Sequence, residues 1–291
     1  MADLVWERLG NVQNFVEPFA GSLAVLLARP TAPKTETVND MDGWLTNFWR
    51  AVKHDPEAVA HHADWPVNEI DIAARRDWLF SQDGHIERMY RDPDYYDPKL
   101  AGVWVWGVCS TIGNAFAKKN THLGAGMGIH RAGTHLGDAG MGIHRASTHL
   151  GNAGRGAVLT EYFQTLSARL ERVRVMCGDW SRVTSPTVTT HNGLTGMFLD
   201  PPYFDKCDKV YAEQNDVRAE VREYCLANGD NPQMRIALCG YEGEHDMPDS
   251  WECVPWKARG GYGSQADKQG RENCNRERIW FSPHCIKTEL F

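Results

Sequence analysis

The chain has 291 residues, of which 42% are hydrophobic and 24% charged, and its formal net charge is −7. This composition is typical of a globular protein with a substantial core, and the acidic balance argues against a generic nucleic-acid coat protein. The sequence contains no run of about 18 apolar residues, so no membrane-spanning helix is predicted. No secretory signal is recognisable at the N-terminus, so we expect a cytoplasmic protein that does not contact a membrane. The eight cysteines form no Cys-x-x-Cys pair, so we expect no zinc or other metal site.

The first predicted unit is a strand, a glycine turn and a helix. Asn14-Phe15-Val16-Glu17 predicts a buried strand, and Pro18-Phe19-Ala20-Gly21-Ser22 predicts the turn. The helix is predicted over 23–29, with Ser22 as its N-cap. A glycine in such a turn lets the backbone approach a ligand closely, and the N-terminus of the helix favours polar or anionic groups. The pattern indicates the first unit of a doubly wound α/β sheet.

The second predicted strand, Thr35-Glu36-Thr37-Val38, ends at Asn39-Asp40. Asp40 lies 19 residues after Gly21, and an acid at about this offset accepts ribose hydroxyls in nucleotide-binding sheets. The alternative is that Asp40 caps the helix predicted over 43–54, a role for which Asp42 competes. The aromatic residues on one face of that helix indicate core packing.

The middle of the chain contains a buried segment followed by a histidine-rich repeat. Residues 100–117 are apolar and glycine-punctuated, which predicts burial. The repeat consists of Thr121–Arg131, its copy Thr134–Arg145 and a truncated third copy from Thr148. A metal site is one interpretation, but no cysteine or carboxylate completes the ligand set. The others are a duplicated surface loop and an insertion that contacts nucleic acid.

The charge distribution favours the nucleic-acid interpretation. Residues 118–174 contain eight arginines and lysines against three acids, which gives this segment a net charge of +5 in an acidic chain. The candidate contacts with DNA phosphates or base edges are basic residues in and around the repeat: Lys118, Lys119, Arg131, Arg145 and Arg155.

Two further predicted strands end in acidic residues. The strand over 173–177 leads into Gly178-Asp179-Trp180, and the run Met197-Phe198-Leu199 leads into Asp200-Pro201-Pro202-Tyr203. Ligands of open α/β sheets bind at the carboxyl ends of the strands. Asp179 and Trp180 are therefore candidates for binding an adenine ring, although a strand-end turn with Trp180 in the core explains them equally well. Helices are predicted over 161–170 and around 217–225, and further strands over 235–239, 251–254 and 278–281.

Asp200-Pro201-Pro202-Tyr203 suits the binding of an exocyclic amino group on a planar base. The carboxylate accepts a hydrogen bond from the amino group, the prolines stiffen the backbone carbonyls, and the tyrosine offers a face for stacking. An ordinary turn is the alternative explanation for these four residues taken alone.

The order of these elements resembles the Dam-like alpha class of DNA N6-adenine methyltransferases, especially its phage-type members. The resemblance rests on Glu17-Pro18-Phe19-Ala20-Gly21-Ser22, then Asp40, then Gly178-Asp179-Trp180, then Asp200-Pro201-Pro202-Tyr203, and it spans nearly the whole chain. The closing segment Glu277–His284 is also similar to phage-type members. Where the family usually has a second turn glycine this chain has Leu23, and the lysine-bearing motif usual near the N-terminus is not evident before residue 14.

The resemblance implies a Rossmann-like, S-adenosylmethionine-dependent methyltransferase fold, a doubly wound and mostly parallel sheet with a target-recognition insertion. It implies that residues 1–80 and 158–291 form the catalytic domain and that 81–157 form a DNA-facing insertion. The turn residues, Asp40, Asp179 and Trp180 would bind the cofactor, which becomes S-adenosylhomocysteine. Asp200, Pro201, Pro202 and Tyr203 would carry the catalysis.

The implied reaction is direct methyl transfer to the N6 amino group of an adenine flipped out of double-stranded DNA. Two alternatives stay open at this point: N4-cytosine methylation, because the same residues bind that amino group, and a catalytically inactive DNA-binding relative. A dinucleotide oxidoreductase is disfavoured because the turn is not Gly-x-Gly-x-x-Gly. The oligomeric state and the recognition sequence are not encoded in any recognisable motif.

Overall fold

The computed structural model describes residues 1–32, 34–82, 84–92, 94–111, 116, 156–202, 217–256 and 276–287. Tyr203 and the five basic residues predicted to contact DNA (Lys118, Lys119, Arg131, Arg145 and Arg155) lie outside these ranges, as does the histidine-rich repeat.

Helices and strands alternate over the first 54 residues, and the last three described elements are strands. The strands, in chain order, are β1 (Asn14–Glu17), β2 (Thr35–Asp40), β3 (Val173–Cys177), β4 (Thr195–Leu199), β5 (Met234–Tyr241), β6 (Glu252–Pro255) and β7 (Glu277–Phe281). The helices are α1 (Ala2–Leu9), α2 (Ala24–Leu27), α3 (Gly43–His54), α4 (Pro56–Ala63), α5 (Glu69–Phe80), α6 (His85–Arg91), α7 (Pro98–Ser110), α8 (Gly156–Leu170) and α9 (Val217–Asn228). Among the described residues, no helix combines the length and the apolar character that crossing a membrane requires.

The chain folds into two compact units, one of which is discontinuous in sequence. The first comprises Met1–Asn39 and Gly178–Phe291, and the second comprises Asp40–Cys177. The division of the chain into catalytic and recognition parts at residues 81 and 157 stays a prediction about function.

The first unit contains a mixed sheet with the strand order β2-β1-β4-β5-β7-β6. The first four of these strands are parallel, and β7 is antiparallel to both of its neighbours. All five residues of β4 are buried, as expected of a central parallel strand covered on both faces. The predicted doubly wound, mostly parallel α/β architecture is confirmed.

Helix α1, which the sequence patterns did not predict, closes one side of this sheet. Trp6 is 3% exposed, its indole N–H donates to the Val25 carbonyl at 2.7 Å, and its ring lies 4.8 Å from that of Phe15. Arg8 is also buried, and it donates to the Ile286 carbonyl and pairs with Glu252. Two of the residues that stand where the family has a lysine-bearing motif, Trp6 and Arg8, are therefore structural, whereas Glu7 between them is exposed.

The described part of the second unit consists mainly of helices, with β3 at its end. Phe48 of α3 is fully buried, and its ring packs against Trp49, Trp104 and Phe163 at centroid distances of 4.8, 5.9 and 5.7 Å. The predicted core face of α3 is confirmed. Of the segment 100–117 predicted to be buried, the described residues 100–111 and 116 are buried apart from the half-buried Val108, and the others lie outside the described ranges.

Candidate active site

Strand order and strand direction together place the candidate site in the first unit. The chain passes from β1 through α2 to β2 on one side, whereas β4 lies on the other side of β1. The order of strands reverses between β1 and β4, and ligands of open α/β sheets bind at this reversal, beyond the carboxyl ends of the strands. Glu17 ends β1 and Asp200 follows β4, so both predicted motifs lie at this edge.

The turn after β1 leaves room for a ligand beside its backbone. Gly21 is exposed with φ +46°, a conformation that L side chains rarely adopt. No described atom lies within 4 Å of the position that a Cβ on Gly21 would take. The turn is held in place by the Ala20 amide, which donates to the Asn39 carbonyl at 2.9 Å, and by Glu17, which is 2% exposed and accepts from the Leu26 amide at 3.3 Å. These residues fit a cofactor whose polar groups approach the backbone.

Leu23 adopts the backbone conformation that a glycine would have. Its φ is +59° and its ψ is +24°, in the left-handed region, and its side chain is fully buried. It is the residue preceding α2, so the prediction that Ser22 caps this helix is wrong, and the helix is shorter than predicted, ending at Leu27. The departure from the family pattern therefore changes the side chain and retains a conformation in which glycine is favoured.

Asn39 connects the turn to the segment that follows β3. Its side-chain Nδ2 donates to the Pro18 carbonyl and to the Gly178 carbonyl, both at 3.0 Å, and the residue is 1% exposed. Sequence analysis selected Asp40 and missed Asn39. The available signal was an amide that directly follows Val38 in the predicted strand, because a buried amide must find partners.

Trp180 is a packed residue whose ring contacts the turn. It is 6% exposed, its ring stacks on that of Phe19 at 6.1 Å and 24°, and Tyr224 meets it edge-on at 5.7 Å. Burial raises the pKa of Tyr224 well above its ordinary value, which keeps the phenol neutral. Phe19 is only partly buried, so it is the ring of this stack that solvent or a ligand can reach.

Asp179 is exposed and uses one carboxylate oxygen to start a 3-10 helix over Trp180–Val183. Its Oδ1 accepts from the Ser181 amide at 2.9 Å and from the Ser181 hydroxyl. In the part of the chain that the structure describes, Oδ2 makes no protein hydrogen bond. This oxygen can accept a hydrogen bond from a ligand without disturbing the turn.

Asp40 is the last residue of β2, and it does not cap α3. That role belongs to Asp42, whose carboxylate accepts from the Trp44 amide at 2.8 Å and the Leu45 amide at 3.4 Å. Burial raises the pKa of Asp42. The Asp40 Oδ1 accepts from the Asp42 amide at 2.9 Å, so Asp40 supports the turn that leads into the helix.

Asp200 is partly exposed, Pro201 is buried and Pro202 is exposed. A second carboxylate, Glu277 at the start of β7, is electrostatically coupled to Asp200. Burial, and secondarily the negative charge of Asp200, raises the pKa of Glu277 to about 7. Within the described ranges, no group of three or more histidine, cysteine or acidic residues has the arrangement of a metal site.

Comparison with known proteins identifies the N-terminal quarter of the chain. Residues 3–70 match the family of D12 class N6 adenine-specific DNA methyltransferases. This segment contains α1, the glycine turn and Asp40, whereas Asp179 and Asp200 lie beyond it. No curated protein matches the chain. The family match over residues 3–70 and the mostly parallel sheet together support a Dam-like DNA methyltransferase that is specific for the N6 position of adenine.

Proposed function

We propose that this enzyme transfers the methyl group of S-adenosylmethionine to the N6 amino group of an adenine flipped out of double-stranded DNA. One observation carries the assignment of the site: the Gly21 turn and Asp200 follow adjacent parallel strands of one compact unit. A donor bound at the turn and a base bound by Asp200 would therefore meet at the same sheet edge.

The cofactor-binding residues that we propose are Glu17, Pro18, Phe19, Ala20, Gly21, Ser22, Asp40, Asp179 and Trp180. Gly21 offers close backbone approach, and Phe19, supported from behind by Trp180, offers an apolar face. The Asp179 carboxylate would accept from the adenine amino group of the cofactor, and Asp40 from its ribose hydroxyls. When bound, S-adenosylmethionine supplies a methyl group activated by its sulfonium charge.

The catalytic residues that we propose are Asp200, Pro201, Pro202 and Tyr203. The Asp200 carboxylate and the Pro201 carbonyl would accept the two hydrogens of the target amino group, which draws the nitrogen toward tetrahedral geometry and frees its lone pair for in-line attack. Tyr203 would stack on the flipped base and repay part of the few kcal/mol that flipping costs. The rate gain would come from positioning and electrostatics, without a covalent enzyme intermediate.

We further propose that Lys118, Lys119, Arg131, Arg145 and Arg155 contact DNA phosphates. The net charge of +5 over 118–174 supports this assignment, because phosphate contacts release counterions and dominate the affinity for DNA. The DNA of a bacterial or phage-infected cell would be the substrate, which corresponds to a cytoplasmic protein.

The test is methylation of unmodified double-stranded DNA by the purified protein, with the modified nucleosides identified by mass spectrometry. We expect N6-methyladenine from the wild type and a loss of at least about a hundredfold in rate for Asp200→Ala, since positioned acceptors of this kind contribute about 10²–10³. Asp249→Ala, which removes an exposed carboxylate in the loop before β6, is the matched control and should retain full activity.

Two results would contradict the proposal. N4-methylcytosine without N6-methyladenine would overturn the target base, and retained activity in Asp200→Ala would overturn the catalytic assignment. Calorimetric titration with S-adenosylmethionine tests the cofactor separately, and a wild-type protein that binds DNA without binding the cofactor would refute it.

A further inference from the structure

Glu277 lies at the sheet edge where the catalytic motif begins. Strand β7 is antiparallel to β5, so its first residue stands at the carboxyl end of β4 and β5. Glu277 pairs with Tyr241, and two positions back along β5 Cys239 pairs with Ile279. On the other side of β5, Leu199 pairs with Leu238, so continuing this register by one residue puts Asp200 beside Cys239.

This register puts the two carboxylates on one face of the sheet. Side chains alternate between faces along a strand, and paired residues share a face. Asp200, Cys239, Tyr241 and Glu277 therefore project to the same side. The partial burial of Glu277 and the influence of the Asp200 charge on it agree with this geometry.

The cations around Glu277 are engaged with other groups. Arg278 pairs with Glu242 and Arg218 pairs with Glu244, both at 3.0 Å, while Arg276 lies over the Tyr241 ring at 5.3 Å. No lysine or arginine of the described segments lies within ion-pair distance of the Glu277 carboxylate itself.

Titratable and charged groups face Glu277 from each neighbouring element of the described chain. Asp200 follows β4, Tyr241 lies on β5, Glu242 and Glu244 follow β5, and Cys253 lies on β6. Arg276 and Arg278 are its neighbours in sequence. Of these, Asp200 is the group whose charge acts on the Glu277 carboxyl. Glu277 is only half-buried, and the nearby charge that acts on its carboxyl is that of a second acid and not that of a cation.

We propose that Glu277 is a second carboxylate of the active site, and that its ionised form makes Asp200 a stronger hydrogen-bond acceptor for the target amino group. This inference rests on the proposed function of Asp200. During transfer the methyl carbon–sulfur bond breaks with its electron pair remaining on sulfur, and the amino nitrogen forms the new bond with its lone pair. The sulfur leaves as the neutral thioether of S-adenosylhomocysteine, and the nitrogen becomes positively charged and then loses a proton to solvent by way of the Asp200 carboxylate. A second negative charge near Asp200 favours both changes, so Glu277 acts as a positioning residue through Asp200.

The mechanism predicts a pH dependence with a definite sign. Below about pH 7 the Glu277 carboxyl is protonated and adds no charge, and above it the carboxylate is ionised. The single-turnover rate of methyl transfer should therefore rise through a midpoint near pH 7, by roughly fivefold, because only a small part of the Coulomb energy between the two charges changes on reaching the transition state. Single turnovers are needed because product release limits many steady-state rates.

The experiment compares wild type, Glu277→Gln, Glu277→Asp and Glu242→Gln between pH 6 and pH 8.5. We expect Glu277→Gln to lose the rise, keeping the low rate of the wild type at pH 6, while its affinity for S-adenosylmethionine is unchanged. Glu277→Asp should retain a rise of smaller amplitude. Glu242→Gln removes the neighbouring exposed carboxylate that pairs with Arg278, so it should keep the wild-type profile.

If the rate of Glu277→Gln still rises with pH, the inference is overturned, whether its rates equal those of the wild type or are lowered equally at every pH. Rates lowered equally at every pH would indicate a purely structural role. If Glu277→Gln does not fold, Glu277→Asp decides: a rise of wild-type amplitude would overturn the proposal. Asp200→Ala separates the two proposals. If it is inactive while Glu277→Gln behaves as wild type, only the present inference fails, whereas an active Asp200→Ala refutes the catalytic assignment itself.

Discussion

Leu23 combines two opposing contributions to the free energy of unfolding. Its left-handed backbone, with φ +59°, costs roughly 1–2 kcal/mol for a residue with a Cβ. Its side chain is fully buried, and shortening a buried leucine to alanine costs about 2–5 kcal/mol. The chain therefore retains the leucine because its burial outweighs the backbone strain.

The comparison of alanine with glycine isolates the strain. Leu26 is the matched control, because it is also fully buried and lies three residues further on, within α2. In a helix, alanine is about 1 kcal/mol more stable than glycine. We therefore expect the free energy of unfolding of Leu26→Ala to exceed that of Leu26→Gly by about 1 kcal/mol. At position 23 glycine relieves the strain that alanine retains, so the advantage of alanine should shrink by roughly 1–2 kcal/mol and vanish or reverse.

The assay is urea denaturation of the four variants, followed by circular dichroism, with the midpoints compared at equal slopes. Equal slopes indicate that the variants differ in stability and not in the surface exposed on unfolding. An alanine advantage of the same size at positions 23 and 26 would refute the argument, because it would mean that the Leu23 backbone is not strained.

Three further outcomes are expected. Asp179→Asn should keep the turn, because the amide oxygen can still accept from Ser181, but its NH₂ group would face the amino group of the cofactor. Calorimetry should therefore show an affinity for S-adenosylmethionine lowered by about tenfold or more. An unchanged affinity would contradict the role of Asp179. Gly21→Ala should cost roughly 1 kcal/mol of stability, yet weaken cofactor binding more than this, since its Cβ would occupy the ligand space; a loss of stability without a loss of binding would argue against the site. The pKa of Glu277 is raised to about 7 from 4.5, so the free energy of unfolding of the wild type falls as the pH rises from about 4.5 to about 7. The stability of Glu277→Gln should therefore rise by about 2 kcal/mol relative to that of the wild type between pH 5 and pH 8. A difference that does not change with pH in thermal unfolding would contradict the raised pKa.

The parts of the site that sequence analysis predicted are those that depend on local patterns. The strand at 14–17, the turn at Gly21 and the acids that end their strands follow from short-range periodicity and turn chemistry. The prediction that Ser22 caps α2 was wrong because Leu23 adopts a left-handed backbone conformation, which its residue type does not indicate. Helix α1 was missed because the burial of Trp6 and Arg8 depends on partners distant in sequence, such as Ile286.

Strand order and the coupling of Glu277 to Asp200 could not be read from the sequence. The pairing of β1 with β4 joins residues about 180 positions apart, and the antiparallel placement of β7 depends on how β5 is already bound. Asn39 belongs to the same class, because its partners, Pro18 and Gly178, become neighbours only after the chain has returned from the second unit.

The sequence discontinuity of the first unit has a consequence for biosynthesis. Strand β1 is made early, but β4, its neighbour in the sheet, begins at Thr195. At ribosomal rates of about 5–20 residues per second, the apolar residues Phe15 and Val16 wait roughly 10–35 s for that strand. The contiguous segment Asp40–Cys177 is completed during this interval and can fold first. The nascent chain is thus most exposed to aggregation and chaperone binding at its N-terminal strands, before the last third of the protein has left the ribosome.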